Sequence, residues 1–120
     1  MSGEQLRGRV LRWSDLAVDE PLPKVRRRRI VGEHAMLSRF ELGAGCEVPS
    51  HSHPNEQLAC VLSGRVRFVV GDEELVVTAG EVLHLPPHVP HAAFALEDSI
   101  VIDVFAPPSE STGVDAPAAS

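Results

Sequence analysis

The 120-residue chain has no tyrosine, so chemistry that rests on a phenol acting as acid or base is excluded. Nor does any apolar run approach the roughly 20 residues that a membrane-spanning helix requires, which argues against insertion in a bilayer. The N-terminus, MSGEQLRGRVLRW, lacks a hydrophobic signal core, and a cytoplasmic protein is expected. Excess positive charge is missing too. Eleven basic residues against seventeen acidic ones give a formal net charge of −6, with no global drive toward nucleic acid or anionic lipid. Only two cysteines occur, Cys46 and Cys60, and they form no CxxC pair, so two reduced thiols in or near the core are expected. No stretch sustains helical periodicity, and there are no long internal repeats.

What is present reads as all-β. Short runs rich in Val, Leu, Ile and Phe recur at regular spacing between Gly, Pro and Asp. The expected strands are 10–13, 26–31, 35–42, 56–62, 65–70, 74–78, 82–85, 91–96 and 100–105. Gly71-Asp72 fits a hairpin turn, and the prolines at 86, 87 and 90 mark a loop or an edge. The length suits one domain over residues 10–106. Residues 1–9 are expected to be flexible, and the Pro/Ser/Ala-rich stretch 107–120 disordered.

Two strings carry the chemistry. Gly-x5-His-x-His-x3-Gln-x6-Gly runs from Gly45 to Gly64, and Gly-x5-Pro-x-His-x2-His runs from Gly80 to His91. Alternate residues of a strand face the same way, about 7 Å apart, so His51 and His53 point together. Gln57 shares their parity, whereas Glu56 falls on the other face. His91 comes from a distant segment and has to be delivered by the fold. Three neutral imidazoles and a neutral amide oxygen would leave one divalent ion, Zn, Mn, Fe or Ni, with its charge undiminished and strongly Lewis acidic. A His-x-His pair alone carries little, since two loop histidines would look the same. The signal lies in its combination with the glycines, Gln57 and the second unit. The remaining histidines, His34, His84 and His88, are not needed as ligands.

These strings resemble the two sequence motifs of the cupin superfamily, whose fold is a double-stranded β-helix or jelly-roll barrel. Here the first reads GCEVPSHSHPNEQLACVLSG, with Gln57 where glutamate is usual. The second reads GEVLHLPPHVPHAAFA, with His88 for the usual Gly and Ala95 for the usual Asn. HSHPNEQ, VLSG, ALEDS and DVFAPP further resemble small bacterial cupins of the KdgF-like pectin-degradation group, which bind a metal and convert unsaturated uronates to a linear keto form. That resemblance implies His51, His53, Gln57 and His91 as ligands, with Asp103 and Phe105 facing the cavity. The group's arginine after the Pro-Pro pair is replaced by Ser109, and Arg39 would compensate only by pointing inward. Similar cupins serve as polyketide cyclases and as dioxygenases, while cupin lyases with a tyrosine base do not fit.

The leading expectation is a metal-dependent isomerase, lyase or cyclase acting on a sugar acid or polyketide. Asp103 is its acid/base, and Met36, Phe68 and Phe105 form an apolar wall around the substrate. The competing account of Asp103 is a carboxylate satisfied by Arg39 or by backbone donors. A dioxygenase and a non-catalytic ligand-binding module are the alternatives. The run KVRRRR, Lys24 to Arg29, reads as a solvated or edge strand rather than a nucleic-acid patch. A homodimer is expected by analogy with small jelly rolls.

Overall fold

A computed structural model describes residues 8–109. The expectations for 1–7 and 110–120 lie outside the described residues. Among the described residues, a 3-10 turn at Trp13–Asp15 is followed by ten strands: β1 Asp19–Leu22, β2 Val25–Val31, β3 Met36–Leu42, β4 Glu47–His51, β5 Glu56–Ser63, β6 Arg65–Val70, β7 Glu73–Thr78, β8 Val82–Leu85, β9 His91–Ala95 and β10 Ser99–Ala106. They form a six-stranded sheet, β1-β2-β3-β10-β5-β8, and a four-stranded sheet, β4-β9-β6-β7, with every pair antiparallel. This is the jelly roll anticipated from the sequence. No helix among the described residues is long and apolar enough to cross a membrane.

Period-two patterning builds the core. Along β3 every second residue from Met36 to Leu42 is buried, and along β10 the same holds for Ser99, Val101, Asp103 and Phe105. The inner faces of the two sheets bring Val25, Phe40, Val61, Val66, Phe68 and Val101 into one cluster. Each fully buried aliphatic or aromatic side chain there contributes about 1.5–3 kcal/mol. Both cysteines are free thiols, Cys46 within the cluster and Cys60 partly exposed.

The strand expected at 10–13 does not form: Val10 is 82% exposed, and no strand among the described residues pairs with the segment before the 3-10 turn. Two strands escaped the sequence pattern, β1 and β4. Each contains a proline, Pro21 or Pro49, and each sits at a sheet edge, where a missing N–H breaks no ladder. Gly71-Asp72 does join β6 to β7, with Gly71 at φ 55°. Gly64, between β5 and β6, has φ 87°, and a Cβ there would lie 2.2 Å from Ser99 Oγ and 2.5 Å from the Asp98 carbonyl. Only glycine fits that corner.

Candidate metal centre

Edge strand β4 ends on His51, which lies directly across from His91 at the start of β9. His53 follows two residues later, beyond the strand, and Gln57 is the second residue of β5, facing inward at 5% exposure. The three imidazoles offer ring nitrogens that all lie within 4.8 Å of one another. Ring centroids are 4.4 Å apart for His51–His91, 5.1 Å for His53–His91 and 5.7 Å for His51–His53.

Each ring is fixed through Nδ1 by a carbonyl of its own loop. His51 Nδ1 donates to Pro49 O at 2.8 Å, His53 Nδ1 to Asn55 O at 3.0 Å and His91 Nδ1 to Val89 O at 3.0 Å. A carbonyl only accepts, so the proton resides on Nδ1 and the lone pair on Nε2 in all three rings. Burial lowers the His51 pKa, and lowers that of His91 to about 4, against weaker opposing pulls from the carbonyls. Both rings are therefore neutral donors near pH 7. His91 Nε2 is buried and without a partner among the described residues. His53 Nε2 faces Gln57 Oε1 at 3.1 Å, two lone-pair atoms that a shared cation would reconcile. The donor set fits a divalent ion of the Zn, Mn, Fe or Ni type.

A cavity of about 40 Å³ lies beside these residues, lined by His51, Gln57, His91, Phe68, Asp103 and Phe105 among others. Asp103 is 8% exposed, and burial pushes its carboxyl up to about 7, with Gln57 pulling weakly the other way. Its Oδ1 has no hydrogen-bond partner among the described residues. The Phe105 ring stands edge-on to His53, 5.6 Å between centroids.

The expected substrate-binding arginine, Arg39, and one expected wall residue, Met36, are elsewhere. Arg39 falls on the outer face of β3 by strand alternation and pairs with Glu41 at 3.5 Å, so it neither lines the cavity nor satisfies Asp103. Met36 is buried and inward-facing but lines a different, larger cavity shared with Arg27 and Arg29. Of the other histidines, His84 pairs with Glu56 at 2.6 Å on the outside, and His34 is exposed beside Glu33. His88 adopts φ 69°, and its N–H donates to the His53 carbonyl at 2.8 Å.

Sequence reasoning missed Ser38, Asn55 and the inward arginines. Ser38 lies across from Asp103 with its Oγ buried and unpartnered among the described residues; its parity on β3 was the available signal. Asn55 is 1% exposed; its side-chain amide donates to Pro107 O while its own carbonyl holds His53. Nothing in the sequence marked it.

The family model for the Cupin domain matches residues 38–105, which contain both glycine-led strings and all four candidate ligands. The chain is a cupin. This cupin is 34% identical over 70 residues to the uncharacterized protein SCO3923 of Streptomyces coelicolor, a stretch covering 58% of this chain and 67% of that protein. Among solved structures it is similar to KdgF from Halomonas sp., with TM-score 0.81 and 24% identity over 88% of this chain and 98% of that one. An RmlC-like cupin from Shewanella frigidimarina matches with TM-score 0.81 and 24% identity, covering 88% of this chain and 96% of that one. An oxalate decarboxylase variant from Bacillus subtilis gives TM-score 0.76 at 21% identity, covering 89% of this cupin but 33% of that chain. At such identities the solved structures, KdgF included, speak to the fold, and the family is the one that the Cupin domain match gives.

Proposed function

We propose that this cupin is a metal-dependent enzyme that moves a proton on a small oxygenated molecule, as an isomerase, lyase or cyclase. The supporting observation is that a buried carboxylate with an unpartnered oxygen, Asp103, shares one cavity with the converging imidazoles. His51, His53 and His91 would hold the ion through Nε2, and Gln57 through Oε1. When bound, the ion supplies Lewis-acid polarisation of a substrate carbonyl or hydroxyl oxygen. Phe68 and Phe105 exclude water from the cavity and keep its dielectric low. Asp103, its carboxyl raised to about 7 by burial, would accept a proton from one substrate carbon at Oδ1 and deliver it from there to another substrate atom, so that no proton is gained or lost overall.

The fold likeness to KdgF and to an oxalate decarboxylase from Bacillus subtilis, for which Mn(II) centres are described, is compatible with this reading. Cupins bind small-molecule substrates, and here the substrate would be an oxygenated acid or polyketide. Two copies would pair through the outer face of the six-stranded sheet, where Leu58, Leu62 and Val82 are exposed. Elution volume in size-exclusion chromatography tests that pairing.

The reaction class is tested by deuterium exchange from solvent into a panel of hydroxy ketones, keto acids and uronates, read by NMR. Asp103→Asn should abolish exchange while metal content is unchanged. Exchange that survives the substitution removes Asp103 from the mechanism. Oxygen uptake without exchange would replace proton transfer by dioxygenase chemistry.

A further inference from the structure

Ser38 on β3 and Asp103 on β10 are register partners in the six-stranded sheet, and both face inward. Side chains paired in this way have Cβ atoms about 4.5–5.5 Å apart. Yet Ser38 Oγ and Asp103 Oδ1 are each buried with no hydrogen-bond partner among the described residues, so no direct bond joins them. Their surroundings on the inner face are apolar. Met36 and Phe40 flank Ser38 along β3, Val101 and Phe105 flank Asp103 along β10, and Ala59 lies across from Asp103 on β5. None of these side chains carries an N–H or O–H. Arg29, across from Ser38 on β2, makes no hydrogen bond to its Oγ.

The same row is the least bulky of the inner face. Ser38 is the smallest inward residue of β3, beside Met36, Phe40 and Leu42, and Ala59 the smallest of β5, beside Gln57 and Val61. Small residues on both sides of a carboxyl keep space beside it that a larger pair would fill. One oxygen at an ordinary distance of about 2.7–2.8 Å from two others can bridge them up to about 5.5 Å apart. Such an oxygen satisfies both orphans at once, as buried polar atoms ordinarily are satisfied. Asp103, Val101 and Phe105 line the histidine cavity and Ser38 does not. The bridging position therefore lies behind the carboxyl, away from the face it turns to the cavity.

We propose that Ser38 and Asp103 hold one buried water between them, and that Ser38 is thereby a positioning residue for the Asp103 carboxyl. The Ser38 hydroxyl donates to the water, and the water donates to Oδ1. A carboxyl oxygen has more than one acceptor site, so Oδ1 keeps another for the cavity. The terminal torsion of an aspartate is broad, and a contact at a single point leaves the carboxyl plane free to swing. Gln57 bonds to the carboxyl from β5, and the water supplies the second point that fixes the plane. The consequence for catalysis rests on the proton-transfer reading above, whereas the water site itself does not.

High-resolution crystal structures of the full chain, as wild type, Ser38→Ala and Ser38→Thr, test the site directly. Wild type should show one oxygen-sized peak within about 3.2 Å of both atoms. Ser38→Thr keeps the hydroxyl and should keep the peak. Ser38→Ala should lose the bridge and leave the Asp103 carboxyl spread over more than one orientation. Alanine removes only an oxygen, so the fold persists, and thermal melts of both variants verify it. In the deuterium-exchange assay Ser38→Ala should lower kcat about tenfold with KM within about twofold, because Ser38 does not touch substrate, and Ser38→Thr should recover most of kcat. Absence of exchange in wild type counts against the proton-transfer reading alone, and the diffraction result still decides the water site. A wild-type structure in which the two atoms bond directly to each other, or in which no oxygen lies between them, overturns the proposal. So does a Ser38→Ala protein with the peak in place and wild-type kcat.

Discussion

Asp103→Asn separates what the buried carboxylate costs from what it does. Burial moves the Asp103 carboxyl from 3.8 to about 7, against a smaller opposing pull from Gln57. Because the folded-state value is the raised one, the folded chain holds this proton more tightly than the unfolded chain. Stability is therefore undiminished below about pH 4 and falls as pH rises toward and through about 7. Each unit is worth about 1.4 kcal/mol, so ionised Asp103 destabilises the metal-free fold by about 4 kcal/mol at most. Relaxation and water entry reduce this to about 2–4 kcal/mol. Asparagine has nearly the same shape and cannot ionise. Stripped of metal, the Asn variant should gain that amount over wild type between about pH 4 and about pH 8. Urea unfolding of both chelator-treated proteins across this range measures the gain, with m-values compared to verify two-state behaviour. His91 titrates in both proteins, so its contribution cancels in the difference. A stability difference that stays flat with pH, or that moves in wild type's favour as pH rises, refutes the reasoning.

Gly64→Ala should cost several kcal/mol or prevent folding, since the methyl would collide with Ser99 Oγ and the Asp98 carbonyl at a positive φ; circular dichroism melts decide it. Protein purified without added metal should carry about one ion per chain by elemental analysis, and His91→Ala should lose most of it. In the stripped protein the His91 ring should stay neutral until about pH 4, followed by NMR; because the folded-state value is lowered, its contribution to stability is lost as pH falls from about 6.5 toward that point. Asp19→Ala should lower stability by about 1–3 kcal/mol by removing the bidentate partner of nearly buried Arg27, whereas Arg39→Ala should be within about 0.5 kcal/mol of wild type, both read by urea unfolding.

The parity of a strand carried much of the fold into the sequence. Gln57 inward and Glu56 outward, or Asp103 and Phe105 on one face, follow from a period of two and the apolar residues beside them. The same rule holds for β2, but four consecutive arginines hide it, because charge suggests solvent at every position while alternation buries Arg27. Edge strands were the other blind spot. β1 and β4 each carry a proline, Pro21 and Pro49, within an irregular stretch of pairing at a sheet edge. Arg39 was assigned to the substrate's acid group and Met36 to the apolar wall without knowing which way the one points and where along the inner face the other lies. Strand alternation turns Arg39 outward, and Met36 falls at the arginine end rather than the histidine end. Asn55 was illegible because its role depends on Pro107, 52 residues away.

Asn55 also has a mechanical consequence. Its amide grips the chain just after Phe105, and its carbonyl steers the His53 imidazole, so one residue clasps the loop of the first histidine pair to the exit of the last strand. The orientation of His53 and the path of the segment leading to Ser109 are therefore tied together through this one residue.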